Sequence, residues 1–359
     1  MARTVTFIHT PEERRNQRAD TEKRLRVAVY RFAATTVMLR HGCSLMAEEG
    51  GAAGWWLMLL CMLPGLAVAG VLYASMRKCT CGSVPQLVER TLSPGAVRVV
   101  NTAAALALAV EGLASLTALA TMFVDGVGTA VGMVLFAAMA AAALCLCTQR
   151  EGILHGIGLL RWVLGAFAAV VLGNTLMQAR LDHLFPPGGD GASAWLQAGR
   201  GWWGMAWPLS LLLWEEAPRS GSRSMLSPAL MTVLAALALS LALPHELISQ
   251  PRTLAERMLL PGLCLEPGAR LLLICLWTAG LGVTALIAAA RATDLLALPW
   301  RRAERWLPCL LLTAYAALQL ISADVLEASL LLTEDWLLAP FALLAVAVLF
   351  ASCFRRKKR

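Results

Sequence analysis

The chain has 359 residues, 58% of them hydrophobic and only 15% charged, with a mean hydropathy of +0.65. Soluble domains average roughly 45–50% apolar and about 25% charged residues, so this composition excludes an ordinary soluble enzyme, a disordered chain, a collagen repeat and a small disulfide scaffold. The formal net charge of +8 does not point to nucleic acid, because the basic residues stand at the ends of apolar segments rather than on one patch.

Apolar stretches of about 20 residues, the length that carries a helix across a hydrocarbon layer of about 30 Å, recur along nearly the whole sequence. Ten are expected, at 28–47, 54–76, 98–123, 127–148, 152–178, 201–215, 224–244, 269–292, 303–322 and 330–353. The expected fold is an all-α polytopic membrane protein, since barrel strands would alternate over about ten residues. Residues 1–27 form a basic leader without the short apolar region and small-residue site of a signal peptide. Residues 28–353 form the membrane domain, and 354–359 a basic tail.

Twenty-three of the 31 Lys and Arg fall on one side if the leader is cytoplasmic, among them Arg77, Lys78, Arg90, Arg98 and Arg150. Only Arg180, Arg200, Arg252, Arg257 and Arg270 fall on the other, so positive charge places both termini in the cytoplasm. Ser83 to Leu92 reads as a short amphipathic helix with Ser83 as N-cap and Pro85 in its first turn. Residues 251–263 read as a second helix in the interface, and Phe185 to Gly191 as a turn. Cys61, Cys145, Cys147, Cys275, Cys309 and Cys353 lie within spans, where a thiol acts as a small apolar group, and no disulfide framework is expected.

Ionisable groups inside the membrane are costly and by default belong to a cavity or a partner. Glu111 stands near the middle of span 3, with Ser115 one turn further on the same face. It is either a ligand or proton site or half of a structural pair with a base in another span. Arg40 and His41 precede Gly42, Cys43 and Ser44, which are expected to interrupt span 1. Such a break frees backbone N–H groups for a ligand carboxylate; alternatively Arg40 snorkels outward beside Glu48 and Glu49. Arg161 in span 5 is a possible partner for Glu111 or an interfacial residue. In span 6, Gly204 and Pro208 weaken the backbone, and Trp207 walls a pocket or joins Trp202 and Trp203 in an aromatic belt.

No metalloprotease, serine-hydrolase or phosphate-loop motif is present, so no catalytic residue and no cofactor are expected. Cys79-Thr80-Cys81 and Cys145-Leu146-Cys147 lack the spacing and His partner of a zinc site, and no metal is expected.

The order of features resembles the spore-germination permease family, the multi-spanning subunit of germinant receptors, within the amino acid–polyamine–organocation transporter superfamily. The resemblance rests on the Gly42 region of span 1, Gly54-Trp55-Trp56 and Pro64 in span 2, and Val84 to Leu92 followed by Gly95. It continues through Arg150-Glu151-Gly152, Leu184-Phe185-Pro186, and Leu265 to Arg270 with Trp277 following in span 8. It implies a LeuT-like 5+5 inverted repeat in the cell membrane, there the inner spore membrane. It implies a small ligand, an amino acid or similar, and other germinant-receptor subunits and membrane lipids as partners. The expected pocket lies between spans 1, 3, 6 and 8, with Arg40, His41, Gly42, Cys43, Ser44, Glu111, Ser115, Gly204, Trp207 and Trp277 as ligand-binding residues. An ion-coupled symporter and a ligand-free scaffold are the alternatives.

Overall fold

The computed structural model describes residues 11–45, 54–127, 156–177, 179–184, 222–242 and 267–297. The predicted spans four, six, nine and ten, the 251–263 helix, the 185–191 turn and the basic tail lie outside these residues. Among the described residues every regular element is helical and there is no strand. In chain order they are α1 (Pro11–Leu45), α2 (Gly54–Lys78), α3 (Val84–Thr91), α4 (Pro94–Val127), α5 (Gly156–Met177), α6 (Ser222–Ala242) and α7 (Pro267–Ala297). A single 3-10 turn, Leu181–Leu184, follows α5.

Among the described residues, four helices are long and apolar enough to cross a membrane: α2 over Met58–Lys78, α4 over Pro94–Leu116, α5, and α7 over Leu271–Ala292. These correspond to the predicted spans 2, 3, 5 and 8. The apolar part of α6, Leu226–Ala242, is shorter. α1 is not one of the four, because Arg24, Arg26, Arg31 and Arg40 interrupt its apolar run. It is instead a central helix, packed against α2, α6 and α7. Ala33, Ala34, Val37 and Met38 are buried on it almost completely. A helix enclosed by protein need not be apolar all round, which explains how α1 keeps its charges.

The expected interruption of span 1 is absent. α1 starts in the leader at Pro11 and remains helical through Gly42, Cys43 and Ser44 to Leu45. A glycine inside a helix costs about 1 kcal/mol relative to alanine. Leaving backbone N–H and C=O groups unpaired in an apolar setting costs several, so continuing the helix is the cheaper solution.

Small residues set the closest approaches. Ala229, Thr232, Ala236 and Ser240 recur at helical spacing as buried positions of α6, the helix that packs on α1 and α2. Gly280 of α7 lies directly on Thr36 of α1, with no room for a Cβ. Gly112 of α4 meets α7, where an added Cβ would stand 3.3 Å from that of Ala288. α5 touches α1 at Gly158 and Leu25 and otherwise exposes Leu159, Leu160, Trp162 and Val170, as a lipid-facing helix does.

The predicted amphipathic helix is α3, which buries Val84, Leu87, Val88 and Thr91. Ser83 occupies its N-cap without a side-chain capping bond; instead the Gln86 side chain accepts from the Gly82 N–H at 2.9 Å. The C-terminus of α6 is also capped from outside, since Leu241 O accepts the Arg180 N–H at 2.9 Å and lies 2.9 Å from His183 Nδ1.

Candidate functional site

α4 carries Glu111 near its middle, buried to 3% side-chain exposure, and the direct contact of Gly112 with α7 holds that stretch in place. α1 brings Arg40 to it. Arg40 Nη2 donates to both carboxylate oxygens of Glu111 at 3.0 Å each. His41 Nε2 stands 3.5 Å from Glu111 Oε2 and 3.3 Å from Arg40 Nη2. Ser115, fully buried one turn along α4, donates from Oγ to Glu111 Oε1 at 3.2 Å. Three residues from two helices thus surround the Glu111 carboxylate.

The opposite charges make this group tolerable in a low-dielectric interior, where an isolated carboxylate would cost several kcal/mol. A closed pair of one guanidinium and one carboxylate also matches the two charged ends of a zwitterion.

Trp277 lies on α7 in an apolar cluster with Leu119 and Leu281, against which Leu39 packs. Leu39 precedes Arg40 and Leu119 follows Ser115 by one turn, so this cluster adjoins the polar group. Of the ten expected ligand residues, Arg40, His41, Glu111 and Ser115 are brought together, with Trp277 beside them through its neighbours. Gly42, Cys43 and Ser44 continue α1 as helix, offering no unwound backbone. Gly204 and Trp207 lie outside the described residues.

The two arginines go different ways. Arg40 pairs with Glu111. Arg161 is exposed on α5, its guanidinium 5.3 Å from the ring of Trp162.

Sequence reasoning missed a second polar link on α1. Tyr30 Oη accepts from Arg291 Nε at 3.0 Å and from Arg291 Nη2 at 2.9 Å, while Arg291 Nη1 donates to Asp294 at 3.0 Å. The available signal was the i, i+3 pair Arg291 and Asp294 at the end of an apolar helix, which left Tyr30 unforeseen. The two links lie ten positions apart on α1, about 15 Å along its axis. Among the described residues no group of three or more His, Cys, Asp or Glu side chains is placed to hold a metal ion.

The fold and this site define a class: a helical protein with membrane-length helices and a buried interhelical ion pair. Compared with known protein families and with curated proteins, the chain matches none.

Proposed function

We propose that the chain is a permease-like membrane receptor subunit that recognises a small germinant, an amino acid, through Arg40 and Glu111. In this reading it crosses the inner spore membrane ten times in a LeuT-like 5+5 arrangement with both termini cytoplasmic. It works with other germinant-receptor subunits, and its output is signal rather than bulk uptake. The observation that supports it is the Arg40–Glu111 pair, because a buried ionic group within a membrane domain is costly unless it serves a partner or a ligand. With α1 helical through Gly42, side chains rather than unwound backbone supply recognition.

The test is calorimetric binding of a panel of amino acids and sugars to the purified protein, paired with uptake into proteoliposomes. Binding without uptake is expected, and Glu111→Gln is expected to weaken binding by tenfold or more. Ligand-driven proton or ion uptake would instead identify a symporter. A second reading, the ligand-free scaffold, draws on the fact that both Glu111 oxygens already have donors. Absence of binding across the panel would favour it.

A further inference from the structure

From Arg77 to Arg98 the sequence holds four bases, Arg77, Lys78, Arg90 and Arg98, against one acid, Glu89, and all five side chains are exposed. The apolar stretch of α2 ends at Lys78 and that of α4 begins at Pro94. Two membrane-length helices therefore leave the hydrocarbon at this corner, which sets its cations at the level of lipid headgroups.

Arg90 is held rather than free. α2 ends in paired hydrogen bonds, Cys81 N to Met76 O at 2.9 Å and Thr80 N to Arg77 O at 3.3 Å, with Thr80 left-handed at φ 52°. Arg90 Nη1 donates to Cys79 O at 2.8 Å and to Thr80 Oγ1 at 3.4 Å. The guanidinium is thereby fixed against the end of α2, next to Arg77 and Lys78. Both bonds leave from Nη1, a minority of the five N–H donors that the fork carries, on a side chain open to solvent. A guanidinium so fixed suits the oxygens of a phosphate better than a mobile lysine does. Directly after Arg98, Val99 is 70% exposed, and Leu106 two turns along the same face is 50% exposed. This mostly apolar track on α4, with only Thr102 exposed between the two, runs from the cationic corner into the membrane, as an acyl chain would.

We propose that this corner binds an anionic phospholipid, with Arg90 engaging the phosphate, Arg77, Lys78 and Arg98 adding charge, and the α4 track carrying the chain. The test uses the full chain in phosphatidylcholine nanodiscs containing a minor fraction of phosphatidylglycerol, with retained lipid counted by native mass spectrometry. Preferential retention of phosphatidylglycerol is expected. Arg77→Gln, Lys78→Gln or Arg98→Gln should each reduce it roughly fivefold, the effect of one interfacial charge. Arg90→Gln should reduce it by about tenfold or more, and Arg90→Lys should restore little, because the fork is lost. Glu89→Gln, on the same helix, should not reduce it. Arg98 lies away from the Arg90-bonded turn, so its variant keeps the test decisive if Arg90→Gln fails to fold. Equal retention in all variants would overturn the proposal, as would full rescue by Arg90→Lys, which would mean diffuse charge. Displacement of the lipid by inorganic phosphate at matched concentration would also overturn it, by identifying a free-anion site.

Discussion

A single nitrogen of Arg40, Nη2, bridges both carboxylate oxygens of Glu111 at 3.0 Å, joining α1 to α4 across 71 positions of sequence. Removing one partner of such a buried pair leaves the other charge uncompensated, a loss of about 3–5 kcal/mol in comparable sites. Arg40→Gln and Glu111→Gln should each lower the unfolding midpoint in detergent, and the double variant should lose less than the sum. A strictly additive cycle would mean that the two groups are not energetically coupled.

Trp277 is 6% exposed in the cluster with Leu119 and Leu281. Trp277→Ala should destabilise the protein by about 3–5 kcal/mol, the usual loss for emptying an aromatic site. Under the proposed function it should also weaken ligand binding, because the Leu39 and Leu119 side chains that flank the ion pair lose their support. Thermal unfolding and calorimetric binding on the same sample separate the two effects.

Thr80 holds a left-handed conformation that a β-branched side chain adopts only under constraint. Thr80→Gly should stabilise the end of α2 by about 1 kcal/mol, partly offset by the lost bond from Thr80 Oγ1 to Cys79 O. Thr80→Val should destabilise it. Denaturant titration of the three proteins tests the order Gly above Thr above Val.

Cys81 is buried at the same turn, and that burial raises its thiol pKa, with the nearby Arg90 guanidinium acting in the opposite direction. A maleimide should therefore label the half-buried Cys79 well before Cys81 at mildly alkaline pH, and Arg90→Gln should slow Cys81 further. The folded chain holds this proton longer than the unfolded chain. The thiol's contribution to stability is thus complete below the ordinary thiol value of about 8.5 and declines as pH rises past it. Peptide mass spectrometry of labelling across pH tests the order, and equal rates at Cys79 and Cys81 would refute it.

Tyr30 is 3% exposed and receives two N–H groups from Arg291. Tyr30→Phe should cost about 1.5–3 kcal/mol, as expected where the lost hydrogen bonds come from a charged donor. The unfolding midpoint measures it. An unchanged midpoint would show that water replaces the hydroxyl without loss.

The sequence by itself determined the helical, apolar character of the chain and the approximate limits of α2, α4, α5, α6 and α7. Hydrocarbon thickness and backbone satisfaction constrain any such stretch wherever it ends up in the fold. It also determined α3, through Ser83 at the N-cap and Pro85 in the first turn, and it marked Glu111 as expensive enough to need a reason. Only the tertiary structure decided that the reason is Arg40 rather than Arg161, because sequence carries no register between α1, α4 and α5. Gly112 against α7 and Gly280 on Thr36 set how α4, α7 and α1 pack. Tertiary packing likewise overruled the expected break at Gly42: one glycine is a modest local penalty, whereas an unpaired backbone inside a packed helical domain is a large one.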